Sequence, residues 1–228
     1  MRARIITALG LAAILGACSG SSPASATSTS GSSSTSAAGL TIVADTAALG
    51  DSVVAGSTVP VTVHVSQGGT AAANVVVTFA VSAGGGSLAA LSAVTDANGV
   101  ATASWTVGDT VTTNTMTASI SGAKVIVNTV TVAGEVSNVT RVSPDSQTVV
   151  AGAALTITAR PVDRFGNAVS GVSVLWSASG GTLSAATTTS GNQGDATTNF
   201  VTDAAPATYF VTATVNGKGS VTFTVVGS

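Results

Sequence analysis

From Ser57 onward apolar and polar residues alternate, with Val59, Val61, Val63 and Val65 separated by Pro60, Thr62 and His64. A period of two puts one set of side chains toward a core and the other toward solvent, which is the mark of a half-buried β-strand. The same phase returns at Leu155, Ile157, Ala159 and Pro161, an offset of 96 residues. The segments that lead into these strands, Leu40 to Gly56 and Val136 to Gly152, are equally long and both end on Val-Val-Ala-Gly. Further along, Gly85-Gly86-Ser87-Leu88 answers Gly180-Gly181-Thr182-Leu183, and Met116 to Gly122 answers Val211 to Gly217, now at an offset of 95. Phe79 corresponds to Trp176 and Trp105 to Phe200, so each copy holds two bulky core plugs. Two copies of one unit, each with many short strands and turn signals between them, predict two tandem seven-strand sandwiches.

The turns between the strands carry a resemblance. Asp163-Arg164-Phe165-Gly166-Asn167 precedes the strand Val172-Ser173-Val174-Leu175-Trp176, and Thr95-Asp96-Ala97-Asn98-Gly99-Val100-Ala101 forms a second turn in the first copy. In order and spacing this resembles the bacterial Ig-like repeats of the invasin and intimin type. The resemblance implies an all-β fold of two Ig-like domains, 40–135 and 136–228, and a role in building stalks that project a binding tip from a membrane. The first copy departs from the pattern with Ser66-Gln67-Gly68-Gly69-Thr70 in place of Asp-x-x-Gly-Asn, and the second with Ser190-Gly191 in place of Thr95-Asp96.

Ahead of the repeats the pattern changes. Arg2 and Arg4 precede an apolar run from Ile5 to Leu15, and small residues follow. This is the layout of a secretory signal peptide over 1–17, too short to span a bilayer. Leu15-Gly16-Ala17-Cys18 resembles the lipobox of bacterial lipoproteins, which implies cleavage after Ala17 and a lipid anchor on Cys18. Stable anchoring takes more than one acyl chain. Residues 18–39 then hold Ser, Thr, Gly and Ala with a single Pro, nothing that a core could use. They are expected to form a disordered tether, about 25 Å from end to end on average. By resemblance to lipoprotein sorting, Ser19 after the cysteine favours the outer membrane without deciding its side, and the expected location is the cell envelope, at the outer membrane or cell surface.

Composition narrows the chemistry. Without residues 1–17 the chain carries five basic against nine acidic residues, a net charge of −4. No basic stretch is present to hold a phosphate backbone, so no nucleic-acid partner is expected. His64 is the single histidine, and it points away from the valine face of its strand. Without a histidine partner for a serine, and with Cys18 the sole cysteine, nucleophilic triads and zinc sites fail on inventory. Asp96-Ala97-Asn98-Gly99 could begin a calcium loop, but the further acids are missing and a tight turn accounts for it. No enzyme activity and no cofactor are expected. The reading is a non-enzymatic envelope lipoprotein, an adhesion or spacer module. The alternative is an envelope module that binds a glycan or a protein. For that alternative, the loop of Arg164 and Phe165 is the candidate contact with a partner; Arg160, Trp176 and Tyr209 add polar-aromatic chemistry to the same copy, with Trp176 expected in the core.

Overall fold

A computed structural model describes residues 34–35 and 39–228 of the protein. The expected signal peptide, Cys18 and most of the expected tether lie outside the described residues. The described chain is all-β apart from one turn of 3-10 helix at Ala47–Leu49. In the first domain, one sheet runs β1 (Ser34–Thr35), β2 (Leu40–Asp45), β4 (Thr58–Gln67), β9 (Val100–Val107) and β7 (Gly86–Leu88), with β5 (Thr70–Ala71) folded back on β4. The facing sheet runs β3 (Val53–Val54), β11 (Ala123–Val132), β10 (Thr113–Ile120), β6 (Val76–Ala83) and β8 (Ser92–Val94). The second domain repeats the plan. Its sheets are β12 (Asn138–Arg141), β14 (Ala154–Val162), β18 (Ala196–Val201) and β16 (Thr182–Leu183) against β13 (Gln147–Val149), β20 (Gly219–Gly227), β19 (Ala207–Val215), β15 (Ser173–Ala178) and β17 (Thr187–Thr189).

There are more strand segments than the seven expected per copy, in part because the first strand of each domain changes sheets, as do the short pairs β7/β8 and β16/β17. β2 pairs antiparallel with β4, and its continuation β3 pairs parallel with β11. In the second domain β12 and β13 make the same crossing between β14 and β20. Two residues of the segment expected to be tether also join the fold. Ser34 and Thr35 pair with Ile42 and Thr41 of β2, and the Ser34 hydroxyl accepts the Lys124 N–H at 2.7 Å, bridging to the opposite sheet.

Each domain has its own core, fed by the inward set of the alternating strands. Val61, Val63 and Val65 are buried with Phe79 and Trp105 in the first, and Ile157, Trp176 and Phe200 in the second. The equivalent positions do equivalent work through different groups. Buried Thr95 accepts the Val75 N–H and donates to the Ala72 carbonyl, while Ser190 accepts from Val172 and donates to Val169. Buried Asn114 accepts the Gly108 N–H through its Oδ1 at 2.9 Å. At the matching place the Tyr209 hydroxyl accepts the Asp203 N–H at 3.1 Å. Both satisfy one backbone donor at the same corner, which would otherwise be left unpaired inside the fold.

The two corners should differ in what they contribute. Asn114 also donates to the Thr112 carbonyl and the Thr131 hydroxyl, whereas the remaining bond of Tyr209, to Ala205, is long at 3.4 Å. Asn114→Ala is expected to destabilise its domain by about 2–3 kcal/mol and Tyr209→Phe by about 1 kcal/mol. Urea unfolding of the two variants measures both; equal costs would contradict the assignment.

Candidate functional site

Sandwiches of this kind place their loops at two ends, and the described residues bring one end of each domain together. The first domain contributes Val54 to Ser57, the β9–β10 loop around Gly108 to Val111, and Val132 with the linker that follows. The second contributes Asp163 to Ser170 and Asn192. The Asp163-Arg164-Phe165-Gly166-Asn167 loop is the centre of this joint.

The loop is built around one carboxylate. Asp163 Oδ1 accepts the N–H groups of Phe165 and Asn167, each at 2.9 Å, and this fixes the turn. Oδ2 accepts the Asn167 side-chain amide and, from the linker, the Gly134 N–H, both at 3.0 Å. The residue is only 3% exposed, the one buried carboxylate among the described residues. Burial opposes its charge. The Asn167 amide and the N–H groups of Gly134, Asn167 and Phe165 outweigh burial and hold the carboxyl below its ordinary value of 3.8.

Asn167 carries the hold across to the other domain. Its Nδ2 donates to the Asp109 carbonyl at 2.6 Å and its Oδ1 accepts the Val111 N–H at 3.2 Å. Phe165 lies over Gly56, where a Cβ would come within 2.4 Å of the ring edge. Gly56 has φ +71, so this position needs glycine for its backbone and for the close approach of the ring. Arg164 stacks on Phe165 with its guanidinium carbon 4.5 Å from the ring centre. Lys218 reaches Glu135 of the linker at 3.7 Å, an exposed pair of little energetic weight.

The other residues singled out by sequence do not join this cluster. Trp176 and Tyr209 are core, each 4% exposed. Arg160 pairs with Asp195 at 2.7 Å on the outer face of β14. His64 is exposed on β4. Asp96 caps its own turn, Oδ1 accepting the N–H groups of Asn98 and Val100. Among the described residues no group of three His, Cys, Asp or Glu is placed to hold a metal. Sequence reasoning had Arg164 and Phe165 on a loop that meets a partner; the surface they meet in the structure is the first domain. The residues it missed are Gly56, Asp109 and Val111, the receiving side. The glycine in the repeated Val-Val-Ala-Gly was the available signal.

Comparison with known proteins agrees with the fold. Residues 138–226 match the family of bacterial Ig-like domains (group 1). No curated protein sequence matches the chain. Among solved structures, the D0-D1 domain of intimin is 24% identical, covers 75% of this chain and 90% of its own, and superposes with a TM-score of 0.34. The Escherichia coli adhesin FdeC is 20% identical over 86% of this chain and 66% of its own, with a TM-score of 0.49. A family 2 glycosyl hydrolase of Bacteroides cellulosilyticus is 18% identical over 76% of this chain but 23% of its own, with a TM-score of 0.40. These likenesses concern the fold.

A joint held by a carboxylate responds to pH with a definite sign. Since the folded form holds Asp163 below 3.8, its contribution is complete above that value and lost as pH falls beneath it. Spin labels in the two domains should therefore give a narrow distance distribution at neutral pH that broadens only in acid. Asp163→Asn sets an amide NH2 against the donors of Gly134 and Asn167. It should cost about 1–3 kcal/mol and broaden the distribution already at pH 7. A distribution unchanged by the substitution would remove Asp163 from the joint.

Proposed function

We propose that the protein is a non-enzymatic module of the bacterial cell envelope, a two-domain spacer that holds a binding surface away from the membrane. The observation that supports this is the joint. Successive Ig-like domains on a free linker would tumble separately, whereas here Asp163 ties the linker to the loop, and Asn167 and Phe165 tie the loop to the first domain. The second domain then continues from the end of the first opposite to its attachment point. A tether of 18–39 and a lipid on Cys18 fit the same role, since a spacer needs an anchor at one end and freedom to orient. Adhesion belongs to this reading through the match of residues 138–226 to bacterial Ig-like domains (group 1) and the resemblance of the turns to invasin and intimin repeats.

One observation favours the second reading, an envelope module that binds a glycan or a protein partner. Phe210 is 52% exposed and Leu175 48% on the outer face of the second domain's β19 and β15, among Ser177, Thr212 and Thr214. An aromatic ring on an uncharged hydroxyl surface is a place for a sugar ring or an apolar side chain to rest. The two readings differ in location. Protease shaving of intact cells, with a periplasmic marker as control, should remove both domains and spare the marker if the spacer faces outward. Protection of the domains would place them inside the envelope and favour the second reading.

A further inference from the structure

The surface that receives the Asp163–Asn167 loop is made twice in this chain and occupied once. In the first domain it is built on Val54-Ala55-Gly56: the Ala55 N–H donates to the Val132 carbonyl and the Gly56 N–H to the Gly108 carbonyl, both at 2.9 Å. In the second domain Val150-Ala151-Gly152 repeats the residues and the frame. The Ala151 N–H donates to the Ser228 carbonyl at 3.0 Å and the Gly152 N–H to the Asp203 carbonyl at 2.9 Å. Both glycines have positive φ, +71 and +82. The difference is in what lies over them. Phe165 covers Gly56, while a Cβ on Gly152 would meet nothing within 4 Å. Val54 is 46% exposed and Val150 72%.

We propose that this far end of the second domain is a docking surface for a further Ig-like domain, one that presents an Asp-x-Phe-Gly-Asn loop of the kind held by Asp163. The incoming aromatic ring would cover Gly152, and the loop amide would donate to the Ala204 carbonyl, which stands where Asp109 stands in the first domain. The second bond of that amide would be absent, because Pro206 occupies the position of Val111 and has no N–H. A first domain of another copy does not qualify. Its corresponding turn is the two-residue hairpin Gly68-Gly69, φ +56 and +83, one residue shorter and without the aromatic.

The inference extends the spacer reading and can fail without it. The test appends a second copy of residues 133–228 after Ser228, so that Ala133 follows Ser228 as it naturally follows Val132. Spin-label pairs across each joint report distance distributions in the same molecule. The new joint is expected to be about as narrow as the natural one. Val150→Asp, at an exposed position that the fold tolerates, should broaden the new joint at least about twofold and leave the natural joint unchanged. Pro206→Val should narrow it further by restoring the missing donor. A new joint that is broad from the outset, or narrow but indifferent to Val150→Asp, overturns the proposal. So does a dimer of the unextended chain in light scattering that Val150→Asp abolishes, since the occupant is then a second copy. A natural joint that proves broad would instead count against the spacer reading.

Discussion

Four hydrogen bonds to the Asp163 carboxylate set the relation between the two halves of this protein. Two of them shape the loop, one positions Asn167, and one reaches the linker at Gly134. Removing the carboxylate's charge would leave donors facing a poor acceptor in a place water reaches with difficulty, where unpaired groups are most expensive. The geometry is demanding for another reason. The ring of Phe165 can sit where it does only because Gly56 has no side chain, and Gly56 is there because the corner before β4 needs a positive φ. A turn requirement inside one domain has become the seat for the other.

The rest of the fold avoids such dependence on charge. Charged residues are 7% of the chain. The outer faces of the sheets are held instead by paired hydroxyls across strands, Thr58 with Thr106, Thr158 with Thr197, and Thr212 with Thr222. Each such pair adds a few tenths of a kcal/mol up to about 1. These bonds do not titrate. The ion pairs at Arg141–Asp145, Arg160–Asp195 and Lys218–Glu135 all lie at least partly in solvent, where salt screens them. Acid therefore reaches the joint through Asp163 and the second sandwich through Asp145, whose carboxylate accepts the Thr224 and Ser146 N–H groups and is also held below its ordinary value.

Period-two alternation and the internal repeat were enough to read the sandwiches, since burial of every second side chain leaves a direct trace in sequence. The four aromatics read as core are core, Trp105 and Phe200 fully and Phe79 and Trp176 nearly so. Substitutions that keep a role while changing the residue were harder to read. Ser190 looked like a departure from Thr95, yet a hydroxyl is all the site needs. Asn114 and Tyr209 share no side-chain likeness and meet at the same corner because each presents an oxygen to one N–H. The loop of Arg164 and Phe165 stood out for its chemistry, but the target it meets in the structure did not. That target is a backbone surface, Gly56 with the Asp109 carbonyl and the Val111 N–H, and backbone groups have no signature of their own in a sequence.

The two domains are not interchangeable, and the asymmetry gives the pair a direction. The first has the seat, Val54-Ala55-Gly56, but its opposite end closes in the Gly68-Gly69 hairpin beside the added strand of Ser34 and Thr35. The second has the loop at one end and a seat at the other. A contact in which one surface receives a different surface is heterologous, and such contacts add units in one direction only. Repeat proteins commonly use an atypical unit where the stack begins. The first domain is atypical in this sense: it has the seat, and where the second domain carries the loop it has the Gly68-Gly69 hairpin.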